Sequence, residues 1–124
     1  MKKGKDTNRV LVGNRKARHD IRVVETWEAG IVLTGSEIKS LREGNASLSE
    51  SYAKIEEGEV FLFGMYIAPY QPAGKLNHEP HRTRKLLLQR REIRKLGMEL
   101  RQKGTTLVPL TVYLAGGRAK VELA

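Results

Sequence analysis

His19, His78 and His81 are the three histidines of this 124-residue chain, and His78-Glu79-Pro80-His81 offers the donor types of a metal site. The spacing matches no zinc-binding helix motif, and Pro80 cannot sit inside a helix, so a loop histidine near phosphate is the simpler reading of His78. Adjacent carboxylates such as Glu56-Glu57 point to opposite sides of a strand or turn and cannot share a proton as an acid/base pair. The chain contains no phosphate-cradling glycine loop, no nucleophile elbow and no cysteine. It therefore reads as a binding protein that needs neither metal nor cofactor, with a small hydrolase as the rival from another class.

What the chain has in quantity is cations: 23 Lys and Arg against 14 Asp and Glu, a net charge of +9 and a pI of about 10.0. They are clustered. Residues 1–18 carry seven basic and one acidic side chain and residues 75–103 ten and three, whereas residues 19–74 carry four and nine. Two basic blocks around an acidic middle point to one face that meets a polyanion. The aromatics are Trp27, Tyr52, Phe61, Phe63, Tyr66, Tyr70 and Tyr113, mostly at strand positions that a core would claim. Phe61 and Phe63 are spaced for one face of a strand and are read as core. With stacking surface scarce and Arg and Lys abundant, the expected partner is folded RNA, recognised through shape and backbone rather than base by base.

The elements that must position these groups follow from periodicity. Six stretches read as strands: Asp20 to Trp27, Gly30 to Thr34, Ser51 to Glu57, Glu59 to Ile67, Thr105 to Leu114 and Arg118 to Leu123. Glu28-Ala29, Glu57-Gly58 and Gly116-Gly117 have the spacing of two-residue hairpin turns. Pro109 cannot donate to a ladder and belongs at an edge or bulge. Thr34-Gly35-Ser36-Glu37 has capping-box spacing before a short helix that Gly44 can close. A second helix from about Arg90 to Lys103 carries Ile93, Leu96 and Leu100 as its apolar stripe, with Gly104 as its stop. Residues 69–84, with Pro69, Pro72, Gly74 and Pro80, lack either period and read as a long mobile loop. Six short antiparallel strands with two or three peripheral helices are most economically arranged as a mainly β fold, a closed six-stranded antiparallel barrel.

At this length the chain reads as one domain over residues 1–124, with residues 1–18 as its basic N-terminal segment. No apolar run approaches the ~18 residues of a membrane helix, and the charged start leads only into Val10, Leu11 and Val12, too little for a signal-peptide core. With no cysteine, the expected location is the cytoplasm.

Several blocks occur in order over nearly the whole chain: Asn14-Arg15-Lys16-Ala17-Arg18-His19-Asp20, Glu28-Ala29-Gly30-Ile31, Gly35-Ser36-Glu37-Ile38-Lys39-Ser40-Leu41-Arg42, Phe61-Leu62-Phe63-Gly64 and Arg82-Thr83-Arg84-Lys85-Leu86-Leu87-Leu88. Together they closely resemble the SsrA-binding protein family, small protein B. The resemblance implies a barrel of oligonucleotide-binding type and a partner of transfer-messenger RNA in rescuing stalled ribosomes. It implies a grip on the tRNA-like part of that RNA near its D-loop and elbow, with the ribosome and the elongation factor that carries aminoacylated tRNA as further partners. Carried over by position, Glu28, Leu87 and Gln89 are RNA contacts. Asn14 and His78 join them, and Lys16, Arg18, Lys39, Arg42, Arg82, Arg84 and Lys85 are phosphate contacts. Many relatives have His where Gln89 stands. The family also implies a basic tail beyond the last strand, which this sequence lacks, so RNA binding without completed rescue is expected. Charge alone would equally suit a general structured-RNA or ribosome-associated protein.

Overall fold

The computed structural model describes residues 9–20, 25–104 and 106–124, apart from the side chains of residues 18–20 and 103. Along the chain run β1 (Arg9–Gly13), α1 (Arg15–Asp20), β2 (Trp27–Ile31), α2 (Gly35–Arg42), β3 (Ala46–Ser47), β4 (Tyr52–Glu56), β5 (Glu59–Phe63) and β6 (Tyr66–Ile67). A 3-10 helix (Gln71–Leu76), β7 (Arg84–Leu87), α3 (Arg90–Lys103), β8 (Pro109–Ala115) and β9 (Arg118–Leu123) follow. Seven strands make one antiparallel sheet in the order β1-β8-β9-β2-β7-β5-β4, and β3 pairs with β6 in a separate ribbon.

The local signals explain much of this. Gly116 and Gly117, at φ 58° and 79°, make the two-residue turn of the β8–β9 hairpin, and Glu57 and Gly58, at φ 52° and 80°, that of β4–β5. The chain shifts register between Pro109 and Thr111, so the proline does sit at a bulge. Thr34 caps α2 with Glu37 returning the bond, and α3 turns its Ile93, Leu96 and Leu100 stripe to the core. Within residues 69–84, the Asn77 side chain accepts from the Tyr70 N–H at 2.7 Å and donates to the Tyr70 carbonyl at 2.8 Å, closing the 3-10 turn between them.

Three expectations are corrected. Glu28-Ala29 is not a turn: both residues lie inside β2, which is flanked by β9 on one side and β7 on the other. Asp20 ends a helix rather than opening a strand, and residues 21–24 of that expected strand lie outside the described residues. The sheet is also open, not a closed six-stranded barrel. The strand expected from Glu59 to Ile67 breaks at Gly64, where φ is +79° and an added Cβ would lie 2.5 Å from the Glu50 carbonyl oxygen. Beyond that break the chain pairs with β3 instead of extending the main sheet. Among the described residues, β4 and the segment before β8 share one bridge, the Ala53 N–H donating to the Leu107 carbonyl at 2.8 Å, and no ladder.

The core lies on the inner side of this curved sheet. Ala29, Ile31, Val60, Leu62, Leu86, Val112, Val121 and Leu123 point inward, covered by Leu41 of α2 and Leu96 of α3. Each of the Val, Leu and Ile side chains contributes about 1.5–3 kcal/mol by leaving water. Among the described residues no helix is long and apolar enough to cross a membrane.

Candidate nucleic-acid interface

Strand alternation that sends these residues inward sends their neighbours outward. Register then sets the outward residues in rows. Gly30 of β2 opposes Leu87 of β7; Lys85 opposes Phe61 of β5, which opposes Lys54 of β4; and Phe63 opposes Tyr52. Phe61 and Phe63 do share one face, but it is the outer one, and Val60 and Leu62 hold the core positions expected of them. A one-residue offset in a strand exchanges the two faces completely, and both choices leave apolar residues on each.

Leu87 is 52% exposed, an aliphatic side chain standing in water over Gly30. Beside it a groove of about 810 Å³ is lined by Lys85, Leu87, Leu88, Arg90, Ile93 and Arg94, among others. Lys85 is half exposed and pairs with Glu59. Arg90 and Arg94 are not among the contacts carried over from the family, although their i, i+4 spacing on the polar side of α3 is a signal for one basic face. Gln89 caps α3: its N–H donates to Glu92 Oε1 at 2.9 Å, and its side-chain oxygen accepts from Arg91 Nε at 3.0 Å.

Glu28 is exposed on the same outer face, in mid-strand. One carboxylate oxygen accepts from the Tyr113 hydroxyl and the other lies 3.6 Å from Lys120 Nζ. Burial, then the bond to Glu28 and the charges of Glu28 and Glu122, push the Tyr113 phenol well above its usual pKa, so it stays a donor. Lys16 is exposed, 3.9 Å from Glu50. Lys39 lies 5.7 Å from the centre of the Tyr70 ring, and Arg42 is exposed at the end of α2. The Arg18 side chain lies outside the described residues.

Other predicted contacts turn inward. Arg84 is 0% exposed, with its guanidinium turned to the protein's own groups: Nε donates to Glu37 Oε2 at 2.7 Å, Nη1 to the Met65 carbonyl at 2.7 Å and Nη2 to the Pro80 carbonyl at 3.2 Å. Glu37 also receives Arg82 at 2.7 Å and the Thr34 N–H at 2.8 Å. Burial alone would raise the Glu37 pKa, but the hydrogen bonds from Arg82 and Thr34 and the charge of Arg84 bring it down to about 2. Asn14, 4% exposed, is likewise structural: its oxygen accepts from the Ala17 N–H, and its amide donates to the Pro109 and Leu48 carbonyls. The His78 ring spans Ser36 Oγ at 2.8 Å and the Ile67 carbonyl at 2.9 Å. Since a carbonyl can only accept, Nε2 donates to Ile67, and the ring ties α2 to β6 through Ser36.

Fold and site define a class: a small basic protein built on one antiparallel sheet whose outer face mixes cations with apolar groups. The chain belongs to the SmpB protein family, whose model matches residues 11–124. It is 52% identical over 116 residues to the SsrA-binding protein of Persephonella marina, covering 94% of this chain and 76% of the relative. It is 55% identical over 119 residues to that of Geobacillus thermodenitrificans, covering 96% and 77%. A solved chain described as "tmRNA-SmpB: a journey to the center of the bacterial ribosome" superposes with a TM-score of 0.77 at 48% identity, covering 94% of this chain and 82% of that one.

Proposed function

We propose that this protein binds the tRNA-like domain of transfer-messenger RNA, near its D-loop and elbow, and brings it to stalled ribosomes for trans-translation. It acts as one cytoplasmic RNA-binding domain and not as an enzyme, with the elongation factor for aminoacylated tRNA as a further partner. Beside the family membership, the observation that carries this reading is the outer groove where Lys85 and Leu87 of β7 meet Arg90 and Arg94 of α3, with Glu28 outward on the neighbouring strand β2. Cations there suit phosphate, the Glu28 carboxylate can accept from a base edge or a 2′-hydroxyl, and Leu87 can pack on an unstacked base. Lys16, Lys39 and Arg42 supply charge from other elements, and Gln89 can both donate and accept. Filter binding of the tRNA-like RNA in excess unrelated structured RNA tests it. Affinity that survives the competitor supports cognate recognition, because counterion release supplies only the nonspecific share. Loss of binding in proportion to competitor would favour a general structured-RNA protein.

A further inference from the structure

We infer that the outward face of the β4–β5 hairpin is a stacking site for an unpaired nucleobase, with Tyr52 as platform, Phe63 as its backing and Lys54 as the partner of the adjoining phosphate. The inference rests on the RNA-binding reading and adds which part of the RNA this face takes.

Tyr52 and Phe63 are opposed in register, their ring centres 5.5 Å apart and their planes 15° from parallel. Tyr52 is 38% exposed, and among the described residues the apolar side chains packed against the buried core include neither ring. An aromatic pair held outside the core on an outward sheet face is surface left for a partner. Phe61 lies on the same outward face, between Lys54 and Lys85 in the neighbouring row, so an aromatic flanked by cations adjoins the pair.

Two further observations say what the partner is. Lys54 Nζ lies 5.8 Å from the centre of the Tyr52 ring, over the face that a base would occupy. An exposed cation–π contact is weaker than base–aromatic stacking, so a base displaces the ammonium, which is then free for the phosphate of the same nucleotide. Beside Tyr52, a groove of about 500 Å³ opens between edge strand β4 and α3, lined by Lys54, Gly97, Leu100, Arg101 and Leu107. An apolar lining flanked by Lys54 and Arg101 suits a nucleobase that carries a phosphate.

The test places 4-thiouridine or 5-iodouridine at unpaired positions of the tRNA-like RNA, irradiates the complex with this full chain, and maps crosslinked peptides by mass spectrometry. A crosslink at Tyr52 is expected. Tyr52→Ala should weaken affinity roughly 10-fold or more and Tyr52→Trp should retain it, whereas Lys54→Gln should lower the salt dependence by about one contact. Thermal melts of each variant check folding, and Tyr52→Phe serves as the conservative control. Wild-type affinity in Tyr52→Ala without a crosslink on β4 overturns the stacking site while leaving the RNA-binding reading intact. Normal RNA affinity with weakened ribosome association would instead make this face a docking surface for another component. Failure of the unaltered chain to bind the RNA overturns both.

Discussion

Arg84 shows how far a residue's type can mislead about its place. An arginine beside Arg82 and Lys85 reads as one of a phosphate-binding run, yet among the described residues it is the largest fully buried side chain, bonded to Glu37 and to the Met65 and Pro80 carbonyls. Its counter-charge, Glu37, looks from the sequence like a capping residue alone. It is that, and it also joins α2 to β7 through two guanidinium groups. Glu37→Gln should cost about 3–5 kcal/mol in urea unfolding, because it leaves a buried guanidinium without its anion. Glu37 also sets an acid dependence. Its pKa falls from 4.5 to about 2 in the folded state, so its stabilisation is complete above the unfolded value and is lost as pH drops from about 4.5 towards 2. Urea midpoints measured across that range should fall more steeply in the parent than in Glu37→Gln, and equal slopes would refute the assignment.

At the scale of elements, the β4–β5 hairpin carries an improvable feature. Its turn needs two left-handed residues, and the first is Glu57 at φ 52°, where a non-glycine side chain is strained. Asn tolerates that region and forms the favoured pair with Gly58, so Glu57→Asn should raise stability by about 0.5–1 kcal/mol, read as a higher melting temperature. A lower one would mean that the carboxylate makes a compensating contact. Hairpins and capped helices were legible because their determinants are local: a glycine at a required φ, a hydroxyl three residues before a carboxylate. β7 was missed for a physical reason. Its inward positions are Arg84 and Leu86 and its outward ones Lys85 and Leu87, so apolar and polar residues do not alternate. β2 was divided by a turn because Glu28-Ala29-Gly30 has little strand propensity, and neighbours on both sides supply what the segment lacks.

For the whole molecule, the question is which charges face the RNA. Replacing Lys85, Arg90 and Arg94 together by Ala should reduce the slope of log affinity against log salt by roughly 2–3 units, since each lost phosphate contact removes about 0.7–0.9. Arg82→Ala should mainly affect stability, because that guanidinium is engaged with Glu37 and the Val32 carbonyl. Reversal of these two outcomes in melting and salt-titration experiments would refute the division between binding and structural cations. Composition alone determined that a basic protein without cysteine would seek a polyanion, and ordered motifs determined the family. Periodicity determined two hairpins, the capped helix α2, and α3 with its buried stripe. Only the tertiary structure decided that Phe61 and Phe63 face outward, that Arg84, Asn14 and His78 are held by the protein's own groups, and that the sheet stays open. Those outcomes depend on which strand lies beside which and on where one carbonyl, that of Glu50, crowds Gly64. Such contacts join residues far apart in sequence, and no local pattern encodes them.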